Sequence, residues 1–228
     1  MIKMKAAIFD MDGTLVDSLM VWDIIWKHFG EKYLSNNFFK PDMETEKLVR
    51  TMTLAEAMSL VHEKYAIGLS SVELFNVANE VLKEFYTSQV SLKDGVLEFL
   101  DYCYNSGVRM CIVSATEAAL VQLTLKVCGI DKYFSAIFSC ATIGKGKEEP
   151  DIYMQALKYL NTPIEKTWVF EDSYTAIHTA HKLGIPTVGI YDSYNFDQEK
   201  IQREATIYID KDQNLTIVKK IELCNKNL

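Results

Sequence analysis

The chain has 228 residues, 49% hydrophobic and 11% aromatic, enough apolar side chain to fill one large domain or two small ones. Its formal net charge of −7 argues against nucleic acid as a partner, because that recognition rests on many lysine and arginine contacts to phosphate. Five cysteines (Cys103, Cys111, Cys128, Cys140 and Cys224), odd in number and without a C-x-x-C pair, fit neither a disulfide framework nor a thiolate zinc site.

Short apolar runs bounded by turns predict strands at 5–10, 109–114, 136–140, 167–171, 186–190 and 206–209. Most lack strict alternation, the pattern of strands covered on both faces of a parallel sheet. Between them lie helical periodicities such as Leu120, Leu123 and Val127, or Ala176, Ile177, Ala180 and Leu183. Gly107, Gly129 and Gly184 each stand where a helix gives way to an apolar stretch, as expected of left-handed helix ends. From about Asp17 to Ser88 the rhythm changes to helical stretches near 18–34, 44–50, 53–65 and 71–86. The expected architecture is therefore α/β: a doubly wound, Rossmann-like parallel sheet built from 1–16 and 89–228, with a helical cap domain at 17–88 inserted after the first strand. The N terminus passes from lysines to acids too soon for a signal-peptide core, and no later stretch reaches membrane-span length. A soluble protein of the reducing cytoplasm, with no membrane partner, is expected.

Four features carry chemistry. The first predicted strand delivers FDMDGTLVDS, in which Asp10 and Asp12 point the same way if the extended backbone persists, and Gly13 permits a sharp turn. Ligands of open α/β sheets bind at that C-terminal edge. A D-x-D pair is also an ordinary solvated turn. A calcium loop fails on spacing, since Gly13 is fourth from Asp10 rather than sixth and Val21 occupies the closing position. The second feature, Ser114-Ala115-Thr116, follows a strand and precedes a helix, where a hydroxyl and free N–H groups suit a phosphate oxygen, although a simple N-cap is an equal reading. Third, Lys147 lies before Pro150 at a helix start, placed to neutralise a nucleophile and a phosphate, or else merely solvated. Fourth, Glu171 and Asp172 end an apolar strand, and such acids facing other acids repel unless a cation intervenes. Oxygen-only ligands suit Mg²⁺.

In this order and at these strand ends, the D-x-D-G-T-L-x-D-S opening, G-K-x-x-P-D and E-D-S resemble the haloacid dehalogenase superfamily, specifically its small phosphatases and β-phosphoglucomutase-like enzymes with a helical cap. The resemblance covers about residues 5 to 190. It implies Asp10 as nucleophile forming an aspartyl-phosphate and Asp12 as acid/base. It implies Mg²⁺ held by Asp10, the backbone carbonyl of Asp12 and Asp172, with Glu171 assisting through a metal-bound water, and Ser114, Ala115 and Lys147 as phosphate ligands. Thr14 matches the position that orients Asp12. The superfamily's dehalogenases lack the second aspartate, so Asp12 favours phosphoryl chemistry on a small phosphorylated metabolite.

Other polar and aromatic residues are ambiguous. Trp22, Trp26 and Phe29 are spaced as one buried helix face, with Trp22 the candidate to roof the site. Arg50, the only arginine of 17–88, is either a solvated helix-end cation or a grip for a distal anionic group on the substrate. His178 and His181 read as surface histidines rather than a zinc pair. Two rivals stand beside the phosphohydrolase: a phosphosugar mutase on the same scaffold, disfavoured by Trp22 where β-phosphoglucomutases carry a histidine, and a non-catalytic phosphoacceptor switch, disfavoured by length and by the helical insertion.

Overall fold

A computed structural model describes residues 4–50 and 52–219, so Cys224 lies outside the described residues. In chain order the elements are β1 (Ala6–Phe9), β2 (Val16–Asp17), α1 (Val21–Phe29), α2 (Met43–Val49), α3 (Leu54–Tyr65), α4 (Ser71–Ser88), β3 (Ser91–Leu92), α5 (Val96–Asn105), β4 (Arg109–Ser114), α6 (Ala118–Val127), β5 (Ile137–Ser139), α7 (Cys140–Ile143), α8 (Asp151–Leu160), β6 (Thr167–Glu171), α9 (Tyr174–Lys182), β7 (Thr187–Ile190), α10 (Gln198–Glu204) and β8 (Ile207–Ile209).

Six strands form one sheet in the order β5-β4-β1-β6-β7-β8, and every pairing in it is parallel. From β1 the chain winds outward through β4 and β5, then crosses to β6 and winds the other way through β7 and β8. The reversal lies at β1, so the crevice outside its C-terminal end is the natural ligand position of such a sheet. The near-continuous apolar strands are covered on both faces. Phe9 faces one layer, stacked on Phe170 at 4.5 Å between ring centroids and edge-on to Phe99 of α5. Ile8, Cys111, Val113 and Val169 face the other, against residues of α8 and α9. Gly107, Gly129 and Gly184 do take positive φ, as their place at helix ends requires.

The insertion is helical, as expected, and its connections pair as a short antiparallel ladder of β2 with β3, which the sequence did not reveal. Two-residue strands carry too few side chains to leave a period. The stretch expected as one helix at 18–34 divides: α1 ends at Phe29, a π-helical turn follows over Gly30–Leu34, and Ser35 closes it in left-handed conformation. Gly30 is needed there because a Cβ would overlap the Asn36 carbonyl. Local caps fix the other starts: Asp42 for α2, a Thr53/Glu56 capping box for α3 and Ser70 for α4. One continuous apolar cluster runs from the sheet through Met11, Leu15 and Val16 into Trp26, Phe29, Met58 and Phe85. No helix among the described residues is long and apolar enough to cross a membrane.

Candidate active site

The site begins where β1 ends. Asp10 still ties its N–H to the Phe170 carbonyl at 3.0 Å, and the chain then folds into a turn in which Leu15 and Val16 both donate to the Met11 carbonyl. Gly13 takes φ +77°, and a Cβ there would collide with the Asp172 carboxylate, so both conformation and space demand glycine. The turn sends the two aspartates to different partners.

Asp10 joins an acidic cluster. Asp10, Glu171 and Asp172 are buried, and each offers a carboxylate oxygen within 4.8 Å of the others. The single ammonium of Lys147 bridges Asp10 Oδ1, at 2.5 Å, and Glu171 Oε1. Glu171 Oε2 accepts from the Ser173 N–H at 2.9 Å. Asp172 accepts from Thr14 Oγ1 at 3.1 Å on one oxygen and from Asn195 Nδ2 at 2.8 Å on the other. Burial pushes the Asp10 carboxyl up to about 8; Lys147 opposes this, while the charges of Glu171 and Asp12 add to it. Asp172 is raised well above the usual range by burial, then by Glu171, Asp10 and Asp192. Burial alone would lower Lys147, but Asp10 and Glu171 outweigh it and hold the ammonium charged. Three carboxylates against one ammonium leave two negative charges unmatched when all are ionised, so the residues present fit a divalent cation. The donors are all carboxylate oxygens, which suits a hard metal.

Asp12 is surrounded by hydroxyls instead. Its Oδ1 accepts from Ser18 Oγ and from Tyr86 Oη, both at 2.7 Å, and its Oδ2 accepts from Thr116 Oγ1 at 2.8 Å. Ser18 precedes α1, Tyr86 comes from the last turn of α4 and Thr116 follows β4. Burial, then the Asp12 charge, raise the Tyr86 phenol well above its ordinary value, so it remains a donor. Thr14, expected beside Asp12, serves Asp172 instead because the Gly13 turn rotates it toward the acidic cluster. Ser18, Tyr86 and Thr116 are the residues that hold Asp12. Of these, Ser18 closes the first motif and Thr116 belongs to the second, whereas nothing in the local sequence singles out Tyr86.

Ser114 is buried at the end of β4, and its Oγ accepts from the Thr116 N–H at 3.0 Å, which leaves the hydroxyl proton to donate. Neither Ser114 nor Thr116 caps α6; that position belongs to Glu117, whose side chain makes no cap hydrogen bond. Ala115, with its neighbours, forms the loop between β4 and α6. The solvated reading of Lys147 is set aside by its burial between two carboxylates.

The insertion's candidates have other partners than the three acids. Trp22 is half-buried, its ring 5.3 Å from Trp26 in the apolar cluster. Arg50 is not a solvated helix end: its side chain is 8% exposed, one terminal nitrogen meets Glu46 at 2.7 Å and the other donates to the Tyr194 carbonyl at 3.0 Å. His178 pairs with Glu204 at 2.6 Å, which accounts for it without a metal.

Known proteins resemble this chain over most of its length. The family model described as haloacid dehalogenase-like hydrolase matches residues 7–190. A phosphorylated carbohydrates phosphatase of Thermotoga maritima is 24% identical over 96% of this chain and 100% of its own length. The putative pyrophosphatase PpaX of Caldanaerobacter subterraneus is 25% identical over 95% of this chain and 96% of its own. Among solved structures, a putative β-phosphoglucomutase from Thermotoga maritima superposes with a TM-score of 0.76 at 23% identity, covering 96% of this chain and 100% of that one, a likeness of fold.

Proposed function

Because the chain belongs to the haloacid dehalogenase-like hydrolases, matched across residues 7–190, we propose that it is a Mg²⁺-dependent phosphatase of small phosphorylated metabolites, with Asp10 as nucleophile and Asp12 as acid/base. The relatives named for phosphorylated carbohydrates and pyrophosphate support a small phosphorylated substrate. The observation that carries the assignment of roles is the divergence of the two aspartates: Asp10 lies against Lys147 among buried acids, whereas Asp12 lies on three hydroxyl donors. A nucleophile must be anionic and fixed, and an acid/base must be oriented by groups that tolerate either protonation state.

In the first step an Asp10 oxygen bonds to phosphorus in line as the bond to the leaving oxygen breaks, and Asp12 gives its proton to that oxygen. Asp12 then takes a proton from water, whose oxygen attacks the aspartyl-phosphate, releasing phosphate and restoring Asp10. Lys147 holds Asp10 and offers charge to the phosphoryl oxygens, and Ser114 with the N–H groups about Ala115 receives them. Mg²⁺, held by Asp10, the backbone carbonyl of Asp12 and Asp172 with Glu171 beside them, would supply charge neutralisation at the transferring group. The insertion, bounded as 17–88 with the core at 1–16 and 89–228, acts as a cap that excludes water and selects substrate.

The mutase reading needs a group on the first cap helix to couple closure to proton transfer. Trp22 stands there, packed on Trp26, and an indole cannot relay a proton. Steady-state assay with p-nitrophenyl phosphate and Mg²⁺ tests the proposal: p-nitrophenolate and phosphate released far in excess of enzyme support it, and a single equivalent of p-nitrophenolate with the phosphoryl group kept on the protein would indicate a phosphoacceptor switch. With β-glucose 1-phosphate and catalytic glucose 1,6-bisphosphate, free phosphate is expected; rapid isomerisation with little phosphate would indicate a mutase.

A further inference from the structure

The loop between β7 and α10, residues 191–197, joins the helical insertion to the acidic cluster through contacts that no motif records. On one side it meets α2. Lys47 pairs with Asp197, and Arg50 donates to the Tyr194 carbonyl while its guanidinium lies 5.6 Å from the Phe196 ring centroid. At the other connection of the insertion, Lys93 pairs with the buried Asp192 at 2.6 Å. On the opposite side the loop presents Asn195. Its amide nitrogen donates to Asp172 Oδ2 at 2.8 Å and to the Asp172 backbone carbonyl, and its amide oxygen accepts from the Phe196 N–H at 2.8 Å. These contacts allow only one orientation of the amide, because a flipped group would set oxygen against two oxygens and nitrogen against N–H.

Asp172 is thus aimed by two donors, Thr14 on the turn that carries the paired aspartates and Asn195 on a loop gripped by the insertion. A carboxylate that must meet a cation with one oxygen gains affinity when its rotamer is already fixed, as do other groups standing behind metal ligands. We propose that Asn195 is a positioning residue for Asp172, and that Lys47 and Arg50, by holding the loop, couple docking of the helical insertion to divalent-cation binding. The proposal rests on the metal-site reading above, and it gives Arg50 a partner in the protein rather than in the substrate.

The test is calorimetric titration of Mg²⁺ alone into the metal-free full chain. Asn195→Ala is expected to weaken binding by about 10- to 100-fold, the usual effect of removing a group that orients a ligand. The Lys47→Ala/Arg50→Ala pair, whose residues touch none of the three acids, is expected to weaken it in the same direction, and to add little once Asn195 is alanine. Wild-type Mg²⁺ affinity in either variant would overturn the proposal, as would full additivity of the two. Asp172→Asn separates this from a failure of the site itself: if that variant also binds Mg²⁺ like wild type, the metal-site reading falls and Asn195 with it. Should Asn195→Ala not fold, the Lys47/Arg50 pair decides alone.

Discussion

Replacing Tyr86 by phenylalanine removes one hydroxyl and little else, because the ring stays in the apolar cluster it shares with Phe85. The lost contact is a 2.7 Å hydrogen bond to the Asp12 carboxylate, while Ser18 and Thr116 remain on its two oxygens. A hydrogen bond to a charged group contributes about 1.5 to 3 kcal/mol, and the lower end applies where other donors persist. If that orientation matters only when Asp12 delivers its proton, the loss is about tenfold in rate. Its signature is selectivity among leaving groups. An alkoxide needs a proton to depart and p-nitrophenolate does not, so kcat/KM should fall about tenfold for an alkyl phosphate and change less than about threefold for p-nitrophenyl phosphate. Because kcat/KM reports events up to the first irreversible step, slow hydrolysis of the phosphoenzyme does not obscure the comparison. Equal losses on both substrates, or none on either, would refute the role given to Tyr86 and weaken that of Asp12 as the acid.

Lys147→Ala should abolish measurable turnover and destabilise the metal-free protein by about 3 kcal/mol, since Asp10 and Glu171 lose their shared cation in a buried site; thermal unfolding at an unchanged midpoint would contradict this. Gly13→Ala should cost more than about 1 kcal/mol and most of the activity, because it combines a left-handed backbone with overlap of Asp172, and a variant that melts and turns over like wild type would show that the turn is not constrained as described. The metal-free protein should lose stability between about pH 4 and pH 8. Asp10 is raised from 3.8 to about 8, so in that window the folded chain binds the proton more tightly than the unfolded one, and the cost of burying its charge grows as pH rises. Melting curves at pH 5 and pH 8 test the sign, and saturating Mg²⁺ should flatten the difference; greater metal-free stability at pH 8 would contradict the account.

What the sequence disclosed and what it concealed divide along physical lines. The parallel strands were legible because both faces are covered and most carry a near-continuous apolar run, as in Ala6–Phe9 and the Trp168-Val169-Phe170 centre of β6. The acids were legible because they stand at strand ends: Asp10 directly follows β1 before a turn where Gly13 must be glycine, and Glu171 and Asp172 close the apolar β6. Tyr86 and Asn195 were not. They reach Asp12 and Asp172 across 74 and 23 residues of chain, and neither a tyrosine on an amphipathic helix nor an asparagine in a polar loop departs from its local pattern. Thr14, which the resemblance set beside Asp12, donates to Asp172 instead: extended geometry ends at Phe9, and the turn at Gly13 carries the hydroxyl to the other carboxylate. Arg50 read as either a solvated cation or a grip on the substrate, because helix periodicity cannot see the loop 191–197 that covers it.

The central claim, covalent catalysis at Asp10, is tested most directly by trapping the phosphoenzyme. Enzyme mixed with substrate and Mg²⁺ should be quenched in acid within the first turnovers, digested and weighed by mass spectrometry. The account predicts one added phosphoryl group on the peptide containing Asp10, lost with time as free phosphate appears, and neither label nor turnover with Asp10→Asn. Sustained turnover by Asp10→Asn, or a label that forms and decays on any other residue, would contradict it.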